Sequence, residues 1–269
     1  MQDEAYLRLA ARQEHYWWHC ARRRMSVSLL RRYGLRAGCR WVDLGCGPGG
    51  NLGLLDEFAP ELSVGVDRSM LALDLARQER PNVDFVRADL SYRLPFGDAA
   101  FDVVTIFNVL YHDWIENEAD TLAELLRILR PGGLAVITEP AFPSLARTMD
   151  RLGMGQRRYR IPKFKELCVV AGLEVLLTNY FTSFGALLLL AMKALKHVER
   201  RFKNHRASSP SPDTKVLSPS ANLMLYAAAC IEAFAITRRI PMPIGTTIVC
   251  VVRRPYIDGN GQLGERRTS

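Results

Sequence analysis

Val42-Asp43-Leu44-Gly45-Cys46-Gly47-Pro48-Gly49-Gly50 is the stretch on which the fold turns. It closes an apolar run at residues 39–44 that reads as a strand, and it opens a helical stretch at 51–58. Gly45, Gly47 and Gly50 satisfy the G-x-G-x-x-G pattern of dinucleotide-binding turns. Two residues argue against a pyrophosphate in this turn. Asp43 sets a carboxylate where a phosphate needs helix-terminal N–H groups, and Pro48 removes one backbone donor. A ligand carrying an ammonium and a sulfonium suits an acid-flanked glycine loop better.

Outward from the loop, short apolar runs alternate with amphipathic stretches. Strands are expected at residues 62–67, 83–88, 101–107 and 134–138, and helices at 71–79 and 116–129. Arg130-Pro131-Gly132-Gly133 reads as a helix stop followed by a turn. Such alternation predicts a mostly parallel sheet with helices on both faces. A helix at 161–171, a strand at 173–179 and a β-branched strand at 246–253 continue the pattern. Asp67 and Asp89 fall at the ends of the second and third strands, as Asp43 does for the first. Open α/β sheets bind ligands at those ends, and a carboxylate after the second strand can accept both hydroxyls of a ribose. The plainer reading, that each acid caps the helix after it, accounts poorly for three acids at this spacing.

With these motifs in hand, the chain resembles the class I S-adenosylmethionine-dependent methyltransferases, in their type 11 branch. The resemblance rests on Asp-Leu-Gly-Cys-Gly-Pro-Gly, Gly-Val-Asp, Ala-Asp-Leu, Phe-Asp-Val-Val and Leu-Arg-Pro-Gly-Gly in that order, and spans about residues 38–140. It implies a Rossmann-like sheet of seven strands, the last antiparallel, and S-adenosylmethionine as cofactor. It implies further that Gly45, Gly47 and Gly49 line the methionine moiety, that Asp67 holds the ribose and that Asp89 holds the adenine amino group. Met70 would stack on adenine, Leu90 would offer it a backbone N–H, and Asn108 would face the methionine end. The aromatic and basic segment Glu14-His15-Tyr16-Trp17-Trp18-His19-Cys20-Ala21-Arg22-Arg23-Arg24 resembles a lid over the cofactor, with Tyr16 and Arg22 its leading contacts; a surface helix packed on the sheet is the alternative.

Asn108-Val109-Leu110-Tyr111-His112-Asp113-Trp114 follows the fourth strand, where a methyl acceptor would sit. His112 is the first candidate base, Tyr111 a substrate contact and His15 a second base, because histidine exchanges a proton near neutral pH. His112 as a pocket-shaping residue stays open. No acid or histidine cluster has metal-ligand spacing, and the six cysteines are scattered, so reduced thiols and no metal are expected. Arg147, Arg151, Arg157, Arg158 and Arg160 read as solvated charge or as recognition of an anionic acceptor.

At 269 residues, with 48% of them hydrophobic, the chain has room for one large α/β domain. Residues 1–37 read as a helical arm, 38–183 as the cofactor-binding core, 184–240 as a helical insert, 241–255 as the last core strand and 256–269 as a frayed tail. The N-terminal residues lack the pattern of a secretory signal, and no apolar run approaches the roughly 20 residues of a bilayer span. A cytoplasmic protein, or one at a membrane surface, is expected. The net charge of +8 is compatible with nucleic acid, membrane or acidic substrates, and nucleic acid ranks low without a base-stacking module. The insert holds two apolar helices, at 185–203 and 221–238, joined by a Ser/Pro-rich linker. At 185–206 a basic side opposes an apolar one, read either as a cap over a soluble acceptor or as a lid touching anionic lipid. The acceptor is a small molecule, hydrophobic or anionic. A nicotinamide-dependent oxidoreductase and a non-catalytic binding protein remain as other function classes.

Overall fold

The computed structural model describes residues 3–146, 155, 157–202, 217–257 and 263–264. Two helices lead, α1 (Asp3–Gln13) and α2 (Trp17–Arg32). The core follows as β1 (Arg40–Leu44), β2 (Leu62–Asp67), α3 (Met70–Glu79), β3 (Asp84–Arg87), β4 (Phe101–Phe107), α4 (Glu118–Ile128) and β5 (Leu129–Pro140). Then come α5 (Ile161–Val170), β6 (Glu174–Phe181), α6 (Ser183–Phe202), α7 (Pro219–Thr237) and β7 (Thr247–Arg253).

The seven strands lie in the order β3-β2-β1-β4-β5-β7-β6. β1 to β5 run parallel, and β7 is antiparallel to both β5 and β6. This is the Rossmann-like sheet that the motif order implied. Alternation along each strand divides the core in two. Val42, Val104, Ile137, Ile248 and Cys250 pack on one face with Leu122 of α4 and Phe164 of α5. Trp41, Val103, Val136, Val249 and Val251 pack on the other with Met25 of α2 and Ala233 of α7.

Four local readings need correction. Residues Gly50–Glu57 form a 3-10 turn where an α-helix was expected. Gly132 and Gly133 belong to β5, where Gly132 N–H and Gly133 C=O pair with the backbone of Arg254. Immediately after β7 the chain is not frayed: β8 (Tyr256–Ile257) pairs with β9 (Leu263–Gly264), and the Tyr256 ring covers Gly132 so closely that any Cβ there would collide with it. Among the described residues, the two insert helices do not bury their apolar faces on each other. α7 lies against α2, with Ala229, Ala233 and Ile236 buried in the second core. It is also long and apolar enough, by length and composition alone, to cross a membrane, which the sequence reading had excluded for every segment. Arg147, Arg151 and residues 207–216 of the expected linker lie outside the described residues.

Candidate functional site

The carboxyl ends of β1 to β5 converge beneath α1 and α2. Val66 C=O accepts N–H from both Gly45 (2.8 Å) and Cys46 (2.9 Å), which fastens the glycine loop to β2. Gly45 has φ +77°, and a Cβ there would lie 2.4 Å from a methyl of Val109. Only glycine combines that left-handed backbone with so close an approach. The loop is therefore held against the segment after β4.

Asp67 is nearly enclosed and fully engaged. Its Oδ2 accepts N–H from Gly47 at 2.9 Å, and its Oδ1 accepts N–H from Ser69 at 2.9 Å and the hydroxyl of Tyr6 at 3.2 Å. Burial is the main cause of a raised Asp67 pKa, opposed by these donors. Tyr6 belongs to α1, which also sends Gln13 Nε2 to Pro48 C=O at 3.0 Å. The cover on the loop thus comes from α1 as well as from the aromatic segment after it, and neither Tyr6 nor Gln13 stands out in the sequence.

Asp43 is 1% exposed. Thr105 Oγ1 donates to its Oδ1 at 2.6 Å, and Trp41 Nε1 donates to the same hydroxyl at 3.0 Å. Asp43 Oδ2 is buried without a hydrogen-bond partner. Burial pushes the Asp43 carboxyl up to about 7, against the pull of Thr105 and the Arg22 charge. Arg22 is itself enclosed, donating to Asn51 Oδ1 at 2.5 Å, with its guanidinium 4.4 Å from the Trp18 ring centroid and 4.7 Å from that of Phe107. Burial lowers its pKa to about 9, so at neutral pH it is a cation, set near the carboxyl groups of Asp43 and Glu139. Tyr16, its expected companion, is exposed, with its ring tilted against Trp17 and edge-on to His19.

Beyond β3, Asp89 accepts N–H from Ser91 at 3.0 Å, and Arg68 approaches its other oxygen at 3.8 Å while lying over Trp114. Met70 is exposed at the first turn of α3. Leu90 is buried, and its carbonyl takes the Thr121 hydroxyl.

The segment after β4 is braced from three sides. Asn108 has φ +58°; its N–H meets Thr138 C=O at 2.7 Å and its Oδ1 accepts from Thr138 Oγ1 at 3.3 Å. Glu139, fully buried at the end of β5, accepts N–H from Val109 (3.0 Å), Leu110 (2.9 Å) and Tyr111 (3.2 Å). Burial nevertheless pushes its pKa up to about 8. Arg157 donates to the carbonyls of His112 (2.9 Å) and Ile115 (2.6 Å) and pairs with Glu118 at 3.3 Å. Arg158 reaches Ala141 C=O, and Arg160 lies over Phe142. Arg157 is thus a half-buried backbone clamp, its guanidinium turned to the 112–118 segment. His112 is 4% exposed, its ring between Tyr111 (centroids 4.2 Å) and Trp114 (5.7 Å). His15 is exposed at the turn between α1 and α2, its carbonyl bonded to Asn222 of α7, and no described contact joins it to His112. Sequence reading missed Glu139, although it is an acid at a strand's carboxyl end and the rule that found Asp43, Asp67 and Asp89 applies to it.

A glycine loop with three acids at adjoining strand ends, on a sheet ordered 3-2-1-4-5-7-6, defines a Rossmann-like cofactor-binding domain of the methyltransferase kind. Residues 42–137 match the family model described as a methyltransferase domain. Over that stretch the chain is similar to the class I S-adenosylmethionine-dependent methyltransferases. The chain is 40% identical to a trans-aconitate 2-methyltransferase from Azoarcus sp. (strain BH72) over 139 residues, 51% of this chain and 50% of that protein. It spans about half the length of the curated relatives it matches. Among solved structures, a chain from the complex of the Haloferax volcanii Trm112 methyltransferase activator with a methyltransferase superposes with a TM-score of 0.59, at 20% identity and 94% coverage of both chains. Haemonchus contortus phosphoethanolamine N-methyltransferase 2, solved with S-adenosyl-L-methionine, gives a TM-score of 0.54 at 20% identity, covering 85% of this chain and 51% of that one. These two likenesses concern the fold.

The residues present fit the family's cofactor. An orphaned, buried carboxylate oxygen beside a glycine loop suits a donor-rich cation.

Proposed function

We propose that this chain transfers a methyl group from S-adenosylmethionine to a small-molecule acceptor. The observation that carries the reading is the half-satisfied Asp43 carboxylate buried beside the glycine loop. Asp43 would hold the ligand's ammonium, the loop at Gly45, Gly47 and Gly49 its methionine chain, Asp67 its ribose, and Asp89 with Leu90 and Met70 its adenine. Bound there, S-adenosylmethionine supplies a methyl group on a sulfonium. The chain adds alignment and exclusion of water, which Glu139 and Arg157 serve by fixing the 109–115 segment. Toward a hydroxyl acceptor, His112 is the base and Tyr111 a substrate contact. A second reading, an acceptor carried at a membrane surface, is favoured by the outward leucines of α6.

The test is calorimetry with S-adenosylmethionine and S-adenosylhomocysteine, followed by product detection over small carboxylic acids, alcohols, amines and hydrophobic acceptors. One site per chain is expected. Asp67→Ala should cost on the order of 1.5–3 kcal/mol of cofactor affinity, the worth of a charge-assisted contact. Equal affinity in both proteins would remove the ribose assignment, and binding without turnover on any acceptor class would favour a non-catalytic protein.

A further inference from the structure

The apolar faces of α6 and α7 point away from the body. On α6, Ala186 is buried, Leu189 and Met192 are half-buried, and the Lys193 ammonium reaches back to the carbonyls of Ser144 and Ala146. The opposite side presents Leu187, Leu188 and Leu195. On α7, Ala229, Glu232, Ala233 and Ile236 face inward, while Leu223, Met224, Ile231 and Phe234 form one outward stripe at helical spacing. These seven side chains are 58–73% exposed. Scattered exposed leucines need no explanation, but two helices each turning an apolar stripe outward do.

Charge identifies what covers them. By sequence, residues 183–245 carry nine lysines and arginines against three acids, one of which is Glu232, bonded inward to Ser183. A net +6 out of the chain's +8 therefore sits in this segment. Arg238 lies over the Phe234 ring at 4.8 Å, and Arg239 is exposed beside it. A second copy of the chain would bring like charge against like. An anionic lipid surface answers both features, since it takes up apolar side chains and attracts the net positive charge of the segment that carries them. We propose that the outward stripes of α6 and α7 dock this protein on the surface of an anionic membrane. α7 lies on the membrane and does not cross it, because its inner face belongs to the core and Glu232 is held there by Ser183.

The experiment is co-sedimentation of the full chain with phosphatidylcholine vesicles, and with the same vesicles carrying phosphatidylglycerol, at low and high salt. Sedimentation that requires phosphatidylglycerol and weakens with salt is expected. Ile231→Ser/Phe234→Ser should lower partitioning roughly tenfold or more for each large side chain lost. Leu187→Ser/Leu188→Ser is the parallel variant on α6. Unchanged S-adenosylhomocysteine affinity and circular dichroism in the variants would show that the fold and the cofactor site persist, and the vesicle assay needs no turnover, so it stands apart from the catalytic reading. Absence of phosphatidylglycerol-dependent sedimentation, or equal sedimentation by folded variants, would overturn the proposal. So would a vesicle-free dimer, seen by ultracentrifugation, that the variants abolish, because it assigns the stripes to a second copy.

Discussion

At the scale of single residues, burial makes the site sensitive to pH. The unfolded chain ionises Asp43 near 3.8, whereas the folded protein keeps its proton to about 7. Ionisation is thus harder in the folded state, and Asp43's contribution to stability falls as pH rises through that interval and is flat above it. Binding runs the other way. A ligand ammonium favours the carboxylate, so affinity for S-adenosylmethionine should rise with pH up to about 7, with protons released on binding below that value. The gain should end near pH 7.7–8, where an α-amino group loses its own charge. Calorimetry in buffers of differing ionisation enthalpy reads this, and Asp43→Asn should flatten the acid limb. An acid limb of equal slope in Asp43→Asn would move the titration to another group. His112 belongs to the same scale. With a hydroxyl acceptor, His112→Ala should lower kcat by roughly 10²–10⁴-fold and leave cofactor affinity nearly unchanged. A variant that keeps most of its kcat makes His112 a wall of the pocket, a role its stacking between Tyr111 and Trp114 would also fill.

At the scale of elements, α1 carries the consequence that the sequence concealed. Asp67 Oδ1 already accepts two donors, one of them the Tyr6 hydroxyl, so a ribose that seeks both carboxylate oxygens must displace Tyr6. Tyr6→Phe should therefore tighten S-adenosylhomocysteine binding by up to roughly tenfold, a hydrogen bond to a charged group being the competitor removed. Weaker binding in Tyr6→Phe would instead make the hydroxyl part of the cofactor pocket. The strands and acids were legible because their periodicity and spacing are local. α1 was not: it reads only as part of a helical arm, and its role depends on a contact between residues 61 positions apart. Arg157 misled for the same reason. Its charge suggested solvation or an anionic acceptor, but its hydrogen bonds go to backbone carbonyls more than 40 residues away in sequence.

At the scale of the whole molecule, the sheet could be foreseen and the placement of the insert could not. β-branched runs and strand-end acids specify a parallel sheet wherever they recur. The amphipathic pattern of α6 says only that one side is apolar; whether that side faces the core or the surroundings depends on where Lys193 finds partners, and it finds them on the body. The same holds for α7, whose nearly uniform apolarity hid which stripe meets α2.

The position of β7 bears on how the chain is made. In the sheet, β6 touches nothing but β7, and β7 is the last of the seven strands to leave the ribosome. Until Arg253 emerges, the nascent chain lacks the partner that covers the β5 edge along Leu134–Pro140 and the strand on which β6 pairs in the finished sheet. The apolar α6 and α7 are translated during that wait. A ribosome that stalls or stops in this interval releases a polypeptide with an open edge, the kind of species that chaperones retain and proteases remove.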